Sequence, residues 1–409
     1  MELKKNNNIS VILLLLLVYV SEDILVFGTL NNSVVTSFRY IVQAVVFFYI
    51  ILMHRISEIN NRNVLIGLIL ISLVFISALV NQDFRMGYVF FAFLFVLCIL
   101  TKEIVSTKNI LEVLYKSMVF ISLWSLLIYS LCFIVPSLFP IFPIVKNVSG
   151  QSFYFCLFSN TSIYFNDFLR NHGPFREPGV FQMYIILSLM YGLFIREKPC
   201  FKAIVVLLLA LFTTFSTTAY ISAILIFFAL LCDSRPDKIS FNISVICFFI
   251  LSIAYMAIFT DLLYKEGYGS VFGKMFGTYE SNSMNARLAS VWVNFKILKE
   301  NILFGKGITD VGEFFSSYAY EMFGFRVRDN TNGILIMYAR FGLLFGSIYL
   351  YRIISFCFKY FSKHLFVKVL LSASVIVLYF GETTSYSFLF TIILFDDNKT
   401  NGELSYEHS

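Results

Sequence analysis

The fold class predicted is an all-α polytopic membrane protein, and three observations carry that prediction. Of 409 residues, 58% are hydrophobic and only 14% are charged, against roughly 25% charged in an ordinary soluble domain. Mean hydropathy is +0.80. Apolar runs near the length of about 20 residues that a helix needs to cross a bilayer recur along the whole chain. Together these exclude a soluble globular enzyme and a disordered chain. Lys plus Arg exceed Asp plus Glu by only 31 to 25, too small and scattered a surplus for a nucleic-acid partner.

About twelve crossings are expected, near 9–28, 34–53, 64–80, 86–100, 115–135, 179–195, 201–215, 219–232, 239–260, 332–351, 365–381 and 384–395, in a single integral membrane domain over 1–409. Lys4-Lys5 before the apolar run Ile9–Val20 resembles a secretory leader. No small-residue cleavage site follows before Ser21-Glu22-Asp23, so a retained first helix is expected. With the N-terminus in the cytoplasm, seventeen Lys/Arg, including Lys4, Arg62, Lys102, Arg196, Arg352 and Lys359, fall on inner segments. The short outer connections hold only Arg39 and Arg85. That bias places both termini in the cytoplasm.

The remaining positive residues concentrate in two long outer loops, 136–178 and 261–331, and in Arg340. Long loops are exempt from the charge bias, so these residues need another explanation. The first loop ends in Arg170-Asn171-His172-Gly173-Pro174-Phe175-Arg176-Glu177-Pro178-Gly179. Arg forks grip phosphate oxygens in pairs and stay charged at physiological pH; the same side chains also serve as anchors among lipid headgroups.

In the second loop, Leu288, Val291, Trp292, Phe295, Leu298 and Ile302 recur at helical spacing, with Arg287 at the edge of the stripe. An amphipathic helix lying at the outer interface is predicted, stopped by the glycines of Gly305-Lys306-Gly307. Arg326-Val327-Arg328-Asp329-Asn330-Thr331-Asn332-Gly333 then abuts the tenth crossing. Asn332 is suited to cap that helix. Arg340 lies about two turns further in, where an ionisable side chain faces a cavity or partner, or snorkels to the headgroups. Thr213, Thr214, Ser216, Thr217 and Thr218 form a polar break between two short crossings, and Glu382-Thr383-Thr384-Ser385 breaks the last two. Glu382 is a candidate partner for an Arg.

The seven Cys lie mostly in crossings or on the inner side, with only Cys156 clearly in an outer loop, so no disulfide framework is expected. CxxC, HExxH, P-loop and GxGxxG patterns are missing, and the four His do not cluster. No metal or cofactor is expected.

Three of these motifs, in order over about 165–350, resemble the bacterial O-antigen polymerase and ligase superfamily, the Wzy and WaaL type. They are Arg170-x-x-Gly173-x-Phe175-x-Glu177-Pro178; Ser283-x-x-x-Arg287 with Trp292 and Gly305-x-Gly307; and Asn332-x-x-Leu335 with Gly342-x-x-x-Gly346. Two departures stand out. The Thr-Ser-Arg turn usual between the short middle crossings reads Phe215-Ser216-Thr217-Thr218, and where ligases carry a His before the tenth crossing this chain has Asp329 and Asn330. The second favours polymerase over ligase.

The resemblance implies a GT-C-like glycosyltransferase architecture in the bacterial inner membrane, working in lipopolysaccharide or other surface polysaccharide biosynthesis with its active site on the periplasmic face. Repeat units carried on undecaprenyl pyrophosphate are joined by inverting transfer, beside the bilayer and a chain-length regulator. Arg287 and Arg170, with Arg176, His172, Asn332 and Arg340, are the expected pyrophosphate and glycan ligands, and Glu177 or Asp329 the catalytic carboxylate. The alternatives are an O-antigen ligase using a lipid A core acceptor, and a lipid-linked oligosaccharide flippase. A flippase predicts charges spread through the crossings and an internal pseudo-symmetry.

Overall fold

The computed structural model describes residues 2–30, 32–53, 59–148, 150–163, 169–233, 242–250, 282–324, 327, 330–362 and 364–397. The chain is mostly helical. Its helices are α1 (Glu2–Tyr19), α2 (Leu25–Gly28), α3 (Ser33–Met53), α4 (Asn61–Val80), α5 (Met86–Ile104), α6 (Thr107–Ile134), α7 (Pro178–Met190), α8 (Phe201–Thr213) and α9 (Thr217–Leu231). Then come α10 (242–250), α11 (Asn282–Glu300), α12 (Ile308–Phe323), α13 (Leu335–Tyr360), α14 (Leu365–Gly381) and α15 (Phe388–Ile392). Side-chain caps start several of them: Asn60 accepts the Arg62 N–H at 3.0 Å and Ser106 the Asn109 N–H at 3.4 Å, each satisfying an otherwise orphaned donor.

Among the described residues, six helices are long and apolar enough to cross a membrane: α3, α4, α5, α6, α7 with the wider turn Tyr191–Ile195 that continues it, and α13. Residues 10–19 of α1, together with α8, α9 and α14, are shorter apolar helices. The expected first run, 9–28, is interrupted: α1 stops at Tyr19 and α2 begins at Leu25. Asp23 supplies the reason, since its Oδ2 turns inward to accept the Tyr184 hydroxyl at 2.6 Å. The last run, 384–395, contains only the five-residue α15. Its non-helical flanks are buried in protein, the setting that lets irregular backbone exist at such depth. Most of 239–260 lies outside the described residues, with α10 the helical part.

Among the described residues there is one β sheet, which an all-α expectation misses. In the first long loop, β1 (Ile144–Lys146), β2 (Ser152–Phe155) and β3 (Asn160–Ser162) form an antiparallel sheet in that order. Its register pairs Ile144 with Tyr154 and Phe153 with Ser162. The sheet is fastened to α6, where the Trp124 indole N–H donates to the Cys156 carbonyl at 3.0 Å. A small apolar cluster of Ile128, Cys132, Phe139, Tyr154, Cys156 and Leu169 lies between them.

Helix α13 is broken. Gly342 has φ 86°, far from helical values, and a Cβ there would overlap the Leu303 carbonyl. The carbonyls freed by the break are taken by the docked segment 302–307: Lys306 N–H donates to Ala339 O at 2.8 Å and Gly307 N–H to Arg340 O at 3.0 Å. In return, Leu343 N–H donates to Ile302 O at 2.8 Å. The polar groups gather at two ends of the bundle. At one end of α5, Asp83 and Tyr88 hold the start of α12. At the other, Lys102 pairs with Asp397 at 3.1 Å, about 28 Å away for a 19-residue helix.

Candidate functional site

The segment before α7 is the first wall of the site. Proline at the first helical position fixes the entry to α7 without wasting a donor. Ahead of it, Arg176 N–H bonds Asp23 O at 2.9 Å and Leu25 N–H bonds Pro174 O at 3.0 Å, which ties the segment to the break after α1. Asn171 is buried and uses its amide twice, on Ser125 at 3.1 Å and Thr213 at 3.0 Å. The peptide of Arg170–Asn171 is thereby held against the turn between α8 and α9.

That turn, the polar break of Thr213–Thr218, holds two arginines. Arg170 Nε donates to Thr214 O at 2.8 Å, and Arg287 Nη1, from α11, donates to Thr217 Oγ1 at 2.5 Å. Phe215 makes the turn with φ 47°, unusual for a side chain of that bulk. Arg340, just ahead of the break in α13, donates to Ser385 Oγ at 3.2 Å, and Arg176 Nη2 donates to the Thr383 carbonyl.

These side chains line one cavity of about 540 Å³. Arg170, Arg176, Glu177, Arg287 and Arg340 line it together with Glu382, Asn330 and Thr331, and with Val311, Gly312 and Phe315 of α12. Among the described residues each of the four guanidiniums makes one hydrogen bond to the protein. Forked donors are left over for a multiply charged oxyanion. Burial lowers the pKa of Arg170 and of Arg287, with Glu382 opposing it in both. Around Arg176 burial acts the same way, but Glu22, Glu177, Asp23 and Glu382 outweigh it and raise the value.

The remaining predicted residues lie elsewhere. His172 packs edge-on against Phe153 at 5.6 Å between ring centroids; burial, then Arg170, push its pKa down to about 3, and it is not among the cavity's lining. Asn332 is buried behind the wall, where its Oδ1 accepts the N–H of Leu335, the first residue of α13, at 2.8 Å. Asp329, with Arg326 and Arg328, falls outside the described residues.

Helix α11 forms as expected, and the face it turns into the protein is the one away from its large apolar side chains. Ala289, Ser290, Val293, Asn294 and Ile297 are buried, whereas Leu288, Phe295 and Trp292, the last 56% exposed, point outward. The small and polar side chains pack inward because they have partners there. Asn294 and Asn330 exchange amide hydrogen bonds at 3.0 and 2.9 Å, and Ser290 Oγ accepts the Thr331 N–H at 2.9 Å. This clamp fixes the cavity wall at 330–331. Ser290 and Asn294 share a face at i, i+4, a signal the search for an apolar stripe passes over. Glu382 was visible only as a possible Arg partner; its place beside Glu177 depends on α14 ending next to α7. Comparison of the chain with protein-family models, curated proteins and solved structures finds no match.

Proposed function

We propose that this protein is an O-antigen or surface-polysaccharide polymerase of the inner membrane, joining oligosaccharide repeat units carried on undecaprenyl pyrophosphate. The observation that carries the reading is the convergence of Arg170, Arg176, Arg287 and Arg340 on one cavity, beside Glu177. In this reading a hydroxyl of the acceptor glycan attacks the anomeric carbon of the donor. The bond from that carbon to the diphosphate breaks, the diphosphate keeps the electron pair, and the hydroxyl proton passes to Glu177. Asp329 is the second candidate for that role. One displacement inverts the anomeric centre, and the guanidiniums stabilise the departing charge.

The six long apolar helices and four shorter ones support a polytopic membrane protein, for which we propose a GT-C-like arrangement of about twelve crossings with both termini cytoplasmic. The cavity then opens to the outer face, with a chain-length regulator as the expected partner. The test is deletion of the gene followed by gel analysis of surface polysaccharide. A core bearing a single repeat unit is the expected result. Loss of all attached repeats, with lipid-linked chains accumulating, identifies a ligase instead, and an unaltered long-chain ladder overturns both.

A further inference from the structure

Glu177 precedes α7, yet its side chain makes no capping bond with that helix. Its backbone carbonyl does the work, accepting from Val180 and Phe181, each at 3.1 Å. The carboxylate is therefore spare, and it is met by another. Glu382 lies across the first turn of α7, so close over Gly179 that a Cβ there would overlap its Oε1, which sets its carboxyl beside the residue two places ahead, Glu177. Both carboxyls line the same cavity.

A carboxylate only accepts hydrogen bonds, so two carboxyls brought together in one cavity can join in a hydrogen bond only if one holds a proton. We propose that Glu382 is that one: its O–H donates to Glu177, leaving Glu177 charged and oriented to take the proton of the attacking hydroxyl. Resting on the polymerase reading, this makes Glu382 a positioning residue for the reaction. Burial and the neighbouring Glu177 charge hold the Glu382 carboxyl well above its ordinary range, against the opposing pull of Arg176 and Arg287. Arg170 faces it as well.

The backbone around Glu382 is held on several sides. Gly381 packs on Thr218, the Thr383 carbonyl receives Arg176, and Gly333 N–H donates to Tyr379 O at 2.6 Å. The carboxyl is thus presented to Glu177 by three separate contacts. Two carboxyls sharing one proton work over the pH range where the pair is singly protonated. Activity falls on the basic side as Glu382 loses its proton.

The experiment uses the full chain in lipid nanodiscs. At neutral pH the infrared spectrum is expected to show the C=O stretch of a buried protonated carboxyl, and Glu382→Gln is expected to abolish it. In a polymerisation assay with lipid-linked repeat units, Glu382→Gln retains the donor and is expected to keep activity within about tenfold while losing the basic limb of the pH profile. Glu382→Ala is expected to lose about a hundredfold or more, the scale of acid–base assistance. Gly179→Ala displaces Glu382 without altering either carboxyl, and is expected to follow Glu382→Ala. The proposal is overturned if the band is missing from the wild type or survives in Glu382→Gln, or if the Gln and Ala variants are equally impaired. Should the wild type form no polymer, the polymerase reading falls, while the infrared band still decides whether Glu382 carries the proton.

Discussion

Among the described residues Arg287 donates to Thr217 alone, at 2.5 Å, and it lines the cavity, so charge alone does not describe its contribution. Lys keeps the charge but not the planar fork. Both Arg287→Lys and Arg287→Ala are expected to cut polymer formation, Ala by about a hundred- to a thousandfold, the usual cost of one positioned donor. Unchanged chain length and yield in both, at normal expression, would show that Arg287 holds no diphosphate. His172 makes a prediction of a different kind. Folded, it resists protonation until about pH 3, against an ordinary 6.5. As pH falls below 6.5 the unfolded chain binds a proton that the folded one refuses, and stability drops until about pH 3. His172→Phe is expected to flatten that part of the thermal-midpoint-against-pH curve. At this scale the arginines were legible, since an Arg beside an apolar run is conspicuous. Glu382 was not legible as a partner of Glu177, because more than two hundred residues separate them.

Among the elements, α13 shows how a local irregularity sets a functional position. Arg340 reaches the cavity from a helix that breaks at Gly342, and the break is closed by backbone bonds from 302–307. Gly342→Ala imposes a Cβ on a left-handed conformation, costing about 1–3 kcal/mol, and also drives it against the Leu303 carbonyl. A lowered thermal midpoint together with impaired polymerisation is expected; an unchanged midpoint would mean that the break tolerates a side chain. The Gly305-x-Gly307 and Gly342 motifs could be seen in the sequence, but not that they pack against each other. Likewise the period of α11 gave the helix, while its buried face was chosen by Asn330 and Thr331.

Across the molecule, charge is gathered at two ends. Opposite the cavity, Asp396 pairs with Arg352 at 3.0 Å, Lys359 at 3.4 Å and Arg62 at 3.5 Å. Burial works against its charge, but Arg352 and Lys359 outweigh it and hold its carboxyl below the usual range. The stability it contributes is present above the ordinary carboxylate value, about 3.9, and is lost as pH falls through the lower folded value. Arg352 is only 3% exposed, so Asp396→Ala strands a buried charge, at a cost of about 3–5 kcal/mol. Adding Arg352→Met is expected to recover part of the lost thermal midpoint, because the orphaned charge is removed; no recovery would show that the pair is not what holds this end.

Arg62, Lys102, Arg352 and Lys359 read from sequence as markers of one membrane side, and the structure shows them also clamping the chain at Asp396 and Asp397. Composition and apolar run length by themselves determined that this is a mostly helical membrane protein, because the cost of burying polar groups in lipid acts on every residue of a run. They also determined which few charged residues stand apart from the positive-inside pattern. Only the tertiary structure decided that Arg170, Arg176, Arg287 and Arg340 share one cavity with Glu177 and Glu382. That cavity is assembled from segments far apart in the chain, and the hydrogen bonds that join them leave no periodic trace in the sequence.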